Sequence, residues 1–165
     1  MGIEELRVSA EEARRMVEQE GWTLVDVRSV PEYEAGHPPG AYNVPWRHAT
    51  PMGMEPNEEF VQVMEGAFGK EAKLILACRS GGRSLSAAEA LRAAGFQHVL
   101  DQRGGFEGKK GLFGASQCDG WVELGFPVET GNPRGRSYED VRARALEGAA
   151  ASSVPEPSGS VQRSL

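Results

Sequence analysis

The chain has 165 residues and a formal charge of −6, from 18 basic and 24 acidic side chains. That length suits one domain with some chain left over, and the acidic balance argues against a general nucleic-acid binder while leaving room for a local cationic pocket. Two cysteines are too few for a disulfide scaffold, no apolar run reaches the ~20 residues of a membrane span, and the N-terminus lacks the apolar core of a signal peptide. A cytoplasmic protein without membrane or nucleic-acid partners is therefore expected.

Ser9-Ala10-Glu11-Glu12 reads as a capping box opening a helix, with Ala13, Met16 and Val17 at helical spacing and Gly21 as its stop. Trp22 to Val27 is an apolar run of strand length without clean alternation, the pattern of a strand covered on both faces of a parallel sheet. Pro31 to Ala35 fits one short helical turn stopped by Gly36, and Gly36-His37-Pro38-Pro39-Gly40 a rigid loop. Ala41 to Val44 is a short strand ended by Pro45, and residues 46–56 read as irregular. Asn57 is a suitable N-cap for a helix burying Phe60, Met64 and Phe68.

Leu74 to Ala77 is the next strand, followed by the turn Cys78-Arg79-Ser80-Gly81-Gly82-Arg83-Ser84 and a helix over Leu85–Ala94 closed by Gly95. Val99-Leu100 is the last expected strand, Gly104-Gly105 opens a glycine-rich connection, and Trp121, Val122 and Leu124 suggest a short helix before Gly125. Strands alternating with helices imply an α/β domain with a parallel sheet, over residues 1–130. Ser137-Tyr138-Glu139-Asp140 could cap a further helix within 131–148, with Tyr138, Val141 and Ala145 as a thin buried face. Residues 149–165, rich in Ala, Ser and Pro, are expected to be a disordered tail.

The chemistry concentrates at Cys78, directly after an apolar strand and before a helix. In open parallel sheets, sites lie at the carboxyl ends of strands. Gly81 and Gly82 let backbone N–H groups converge, and the following helix points unpaired N–H groups and a positive dipole end at the loop. Arg79 and Arg83 add positive charge, so an anion is favoured here and a thiol should ionise readily. Such a loop could serve phosphoryl transfer or sulfur transfer. Cysteine phosphatases set Cys and Arg one residue further apart. Here four residues separate Cys78 from Arg83, and Ser84 stands where the arginine would need to be.

The chain resembles single-domain rhodanese-type sulfurtransferases. The resemblance rests on Leu24-Val25-Asp26-Val27-Arg28, on Glu32-Tyr33 with Gly36 to Pro45, and on the loop Cys78 to Ser84. Gly95-Phe96, Gly104-Gly105, Trp121 and Gly125-Phe126-Pro127-Val128 complete it, in family order over about residues 6–130. It implies a three-layer α/β sandwich, a five-stranded parallel sheet with helices on both faces. It further implies a persulfide on Cys78, ping-pong transfer of sulfane sulfur from thiosulfate or a persulfide donor, and cyanide or a thiol as acceptor.

In that reading the amides of Arg79, Ser80, Gly81, Gly82, Arg83 and Ser84 hold the terminal sulfur. Arg79 attracts the sulfonate end of the donor, while Arg83 and the Ser84 hydroxyl shape the loop. The implied partners are small-molecule sulfur donors and acceptors, or a protein that carries or accepts a persulfide. No cofactor or metal is expected, since His37, His48 and His98 are scattered and no Cys-x-x-Cys occurs. The alternatives are a phosphatase or arsenate reductase on the same fold, or a non-catalytic interaction module.

Asp26 and Arg28 are candidates to support the loop from behind, or to form a structural ion pair with a partner such as Glu32 or Glu34. His37 is expected to be structural. Trp46, Arg47 and His48 are expected on a surface loop that could border the pocket. Cys118 is expected to be a free, uninvolved thiol, and Lys109 and Lys110 to lie in a solvated loop. The segment 106–120 is longer than in compact relatives and could cover the pocket or meet a partner.

Overall fold

The computed structural model describes residues 6–114 and 116–153. The chain opens with β1 (Arg7–Val8) and α1 (Ala10–Gln19). Ser9 Oγ accepts from the Glu12 amide at 3.0 Å while Glu12 Oε1 accepts from the Ser9 amide at 2.8 Å, so the capping box forms as its sequence dictates. β2 (Thr23–Asp26), α2 (Val30–Ala35) and β3 (Tyr42–Asn43) follow. Next come β4 (Arg47–Thr50), β5 (Gly53–Pro56), α3 (Phe60–Ala67), β6 (Lys73–Ala77), α4 (Gly82–Ala93) and β7 (His98–Gln102). β8 (Lys109–Lys110), a single 3-10 turn, β9 (Ser116–Cys118) and α5 (Tyr138–Ser153) complete it.

Five parallel strands form one sheet in the order β1-β7-β6-β2-β3. Successive side chains of a strand point to opposite faces, and the core divides accordingly. Val25, Leu74 and Leu76 join Phe60, Val63 and Met64 of α3, Ala87, Ala88 and Leu91 of α4, and Val141 and Ala145 of α5. Leu24, Ile75 and Ala77 pack on the other face with Ala10 and Ala13 of α1, Tyr33 of α2 and Trp121. The expected α/β sandwich with helices on both faces is thus the observed one.

Several local expectations give way. Residues 46–56 are not irregular: β4 and β5 pair as an antiparallel hairpin. The hairpin is largely exposed, so no burial pattern marks it in the sequence. α4 begins at Gly82, ahead of the expected Leu85. β7 runs to Gln102, beyond the apolar pair Val99-Leu100, because Asp101 and Gln102 find polar partners inside. The expected helix at 121–124 is only a turn. Glycines on either side leave room for a single reversal, with the Leu124 amide bonded to the Gly120 carbonyl at 3.2 Å.

The C-terminal helix runs to Ser153, past the expected end at 148, because Ala149 to Ala151 are strong helix formers. It belongs to the same core as the sheet through Val141 and Ala145, so the packed unit extends beyond residue 130. Of the tail expected to be disordered, residues 149–153 are helical and 154–165 lie outside the described residues. No helix among the described residues is long and apolar enough to cross a membrane.

Candidate active site

β6, in the middle of the sheet, ends at Ala77 and hands the chain to Cys78. The Cys78 side chain is 1% exposed. Its Sγ accepts from the Gly81 amide at 3.1 Å and the Ser84 amide at 3.3 Å, and Ser84 Oγ stands 3.4 Å away. The amides of Arg79, Ser80, Gly82 and Arg83 make no hydrogen bond to it. Because α4 starts at Gly82, its first unpaired N–H groups lie in this loop. Gly81 sits at φ +112°, where L side chains are strained, and a Cβ there would stand 3.0 Å from the Arg7 guanidinium. A Cβ on Gly82 would meet nothing within 4 Å, so only the first glycine of the pair is required.

The two loop arginines differ sharply. Arg83 is half-buried and donates to both carboxylate oxygens of Glu32, at 2.8 and 3.0 Å. Arg79 is exposed and meets Glu107 at 3.0 Å. Two clefts flank the loop and share Arg79. One is lined by Arg79, Ser80, Glu107, Gly108, Lys109 and Lys110. The other is lined by Arg79, Arg83, Arg47, Pro31 and Met54, among others. The hairpin thus brings Arg47 to the cleft, while Trp46 packs edge-on against Phe60 in the core and His48 lies near the Tyr138 ring.

The loop is backed by the Gly104–Glu107 segment. The Phe106 amide donates to the Cys78 carbonyl at 2.7 Å and the Glu107 amide to the Arg79 carbonyl at 2.8 Å. Gly105, at φ +58°, passes so close that a Cβ would stand 2.3 Å from the Cys78 carbonyl oxygen. Behind this lie Asp26 and Arg28, which pair with each other rather than with Glu32 or Glu34. Arg28 Nη2 donates to Asp26 at 2.6 Å and to the Gly36 carbonyl at 2.6 Å, and its guanidinium covers the Phe106 ring at 4.3 Å. Arg28 thereby braces the residue that hydrogen-bonds the Cys78 carbonyl.

His37 is fully buried, stacked on Tyr33, and bonded to the Tyr33 carbonyl and to Glu129. Cys118 is free and half-buried, and a Cβ on Gly104 would stand 3.0 Å from its Sγ. Lys109 and Lys110 are exposed in β8 rather than in a loop, and Lys110 pairs with Glu123.

Sequence reasoning missed two residues. Asp101 in β7 is fully buried and accepts the Ser84 hydroxyl and, at 2.7 Å, Arg7 Nε. Arg7 also donates to the Gly81 carbonyl at 3.3 Å, closing a ring of contacts around the loop. An acid ending the apolar run Val99-Leu100 was the available signal. Arg7 carried none, because its register opposite Asp101 exists only in the folded sheet.

The family profile described as Rhodanese-like domain matches residues 9–111. The chain belongs to the rhodanese-like domain family. It is 39% identical over 115 residues to senescence-associated protein DIN1 of Raphanus sativus, a match covering 70% of this chain and 56% of the radish protein. It is 30% identical over 129 residues to thiosulfate sulfurtransferase 18 of Arabidopsis thaliana, covering 77% of this chain and 85% of that protein. Among solved structures it is similar to Rv0390 from M. tuberculosis, with a TM-score of 0.63 and 28% identity over 76% of this chain and 97% of that one. The chain spans less than two thirds of several of these curated relatives, 56% of the radish protein and 64% of Arabidopsis rhodanese-like domain-containing protein 14.

Proposed function

We propose that this rhodanese-like domain is a sulfurtransferase that works through a persulfide on Cys78. The observation that carries the reading is the Cys78 sulfur itself, recessed at the end of the central strand and facing the Gly81 and Ser84 amides and the Ser84 hydroxyl. The thiolate attacks the outer sulfur of thiosulfate or of a persulfide donor. A new S–S bond forms at Cys78, the donor's S–S bond breaks, and sulfite or a thiolate leaves with the electron pair. The terminal sulfur anion then meets the remaining loop amides, from Arg79, Ser80, Gly82 and Arg83, which are preorganised by the turn. Cyanide or a thiolate takes that sulfur and Cys78 departs as thiolate, so one difficult transfer becomes two easier ones.

Of the two loop arginines, Arg79 is the one that can turn to an anionic donor, since it and its partner Glu107 are both exposed; Arg47 and Lys109 line the flanking clefts beside it. The relatives named thiosulfate sulfurtransferase support this choice of donor. Small-molecule donors and acceptors fit the open clefts, and a persulfide-carrying protein could use the same approach.

The test is intact mass after incubation with thiosulfate. A gain of about one sulfur atom, removed by cyanide and absent in Cys78→Ser, is expected. No adduct, together with hydrolysis of an aryl phosphate, would replace this reading with phosphoryl chemistry. An adduct that persists in Cys78→Ser would remove Cys78 from the centre of it.

A further inference from the structure

The Ser84 hydroxyl stands between two groups that can each carry negative charge. Its Oγ is 3.4 Å from Cys78 Sγ and is hydrogen-bonded to Asp101 Oδ1. All three side chains are at most 1% exposed. A hydroxyl has one hydrogen and cannot donate in both directions at once. Arg7 Nε occupies the other carboxyl oxygen, Oδ2, at 2.7 Å, which leaves Oδ1 facing Ser84.

Two hydrogen-bond patterns complete this chain. In one, the Cys78 S–H donates to Ser84 Oγ and the Ser84 O–H donates to an Asp101 carboxylate. In the other, a protonated Asp101 Oδ1–H donates to Ser84 Oγ, and the Ser84 O–H donates to a Cys78 thiolate. If both ends are charged, a single hydroxyl faces two buried anions and donates to only one of them, leaving the other to its remaining donors, the Gly81 and Ser84 amides at Cys78 or Arg7 at Asp101.

We propose that Cys78, Ser84 and Asp101 form a proton relay in which Asp101 takes the proton that Cys78 gives up. The Cys78 S–H bond breaks and an O–H bond forms at Ser84 while the former Ser84 proton passes to Asp101 Oδ1. No electrons change hands, and the negative charge moves from carboxylate to sulfur. Asp101 is a positioning residue here: its protonation state sets which way the Ser84 hydroxyl points. When an acceptor removes the outer sulfur, a hydroxyl already aimed at Cys78 stabilises the departing thiolate, and a stabilised thiolate leaves faster.

The surroundings of Asp101 fit this role. Burial pushes its carboxyl above the ordinary carboxylate range, against the Ser84 hydrogen bond and the charges of Arg7 and Arg103. The facing groups are Arg7 from β1, Ser84 from α4, Cys78 through Ser84, and Arg103 just after β7. The relay rests on Cys78 being the nucleophile.

The test is the pH dependence of Cys78 alkylation by iodoacetamide, read on the Cys78 peptide by mass spectrometry, in the full chain. In Asp101→Asn the amide oxygen must face Arg7, which only donates, so the amide NH2 faces Ser84 and turns its hydroxyl permanently toward Cys78. The alkylation midpoint should move to lower pH by about one unit, a tenfold change in ionisation. In a Ser84→Ala background the same substitution should lose more than half of that shift. No shift, or an equal shift without Ser84, overturns the relay in favour of a simple field effect.

The wild-type protein provides a second readout that needs no folding of variants. The inflection of the Asp101 carboxyl carbon signal with pH should move when Cys78 is alkylated, and an inflection indifferent to Cys78 overturns the proposal. Alkylation requires no sulfur donor. A normal relay without sulfur transfer would therefore count against the proposed function alone.

Discussion

Arg83 and Glu32 are joined by two hydrogen bonds, 2.8 and 3.0 Å long, that tie the start of α4 to the start of α2. The pair commits one loop arginine to architecture, so Arg79 is the exposed loop arginine, the one to which the proposed function gives the donor. Arg79→Ala should therefore raise KM for thiosulfate several-fold with little change in unfolding midpoint. Arg83→Ala should lower stability by about 1 kcal/mol, the scale of a partly exposed pair, and slow transfer by loosening the loop. Steady-state kinetics beside urea unfolding separates the two, and equal KM effects from both substitutions would contradict this division of roles.

Asp26 and Arg28 are each 3% exposed, and Arg28 makes further contacts to the Gly36 carbonyl and the Phe106 ring. Removing one partner of such a pair leaves an uncompensated buried charge. Arg28→Ala should cost about 3 kcal/mol in chemical unfolding. A loss under about 1 kcal/mol would mean that the pair is not what braces Phe106 behind the loop.

Gly66 lies inside α3, where alanine would ordinarily be the better helix former by about 1 kcal/mol. A Cβ there would stand 2.6 Å from the Ala145 carbonyl oxygen of α5, a backbone atom that cannot move aside alone. Gly66→Ala should therefore destabilise the protein, by about 1–2 kcal/mol net. Thermal unfolding decides the matter, since a stabilised variant would show that α5 does not press on α3 at this point.

Two carboxylates make stability depend on acid. Arg136, with bonds at 3.0 and 3.1 Å, holds the Glu129 carboxyl down at about 2. Burial pushes Glu32 upward, but the hydrogen bonds from Arg83 and Ser29 outweigh it and also hold that group at about 2. An unfolded glutamate titrates near ~4.3. Both groups thus stabilise the fold fully above that pH and lose the contribution as pH falls toward 2. The urea midpoint should drop between pH 6 and pH 3, and Glu129→Gln should flatten the slope. A midpoint unchanged over that range would remove these pairs from the stability of the fold.

Much of this was legible in the linear chain. The capping box at Ser9 uses contacts three residues apart, so sequence and structure agree there. The strand–Cys78–glycine–helix order is likewise local, and it placed the thiol at a strand end beside a helix N-terminus. The β4–β5 hairpin is not legible in the sequence because exposed strands carry no burial pattern. Asp26 and Arg28 are legible in the sequence as charged positions behind the loop, but their mutual pairing is not, because a side chain two residues away is one of many possible partners until the fold excludes the others.

The sequence by itself determined that Cys78 ends a central strand inside a loop of glycines and arginines beside a helix N-terminus, since the residues shaping that loop are its immediate neighbours in the chain. Only the tertiary structure decided what faces that group. Arg7 and Asp101 meet through parallel strand pairing across 94 positions, and Ser84 reaches Asp101 only because α4 packs on the sheet. Local backbone preference decides where a loop forms, whereas the charges around it are set by which distant strands lie side by side.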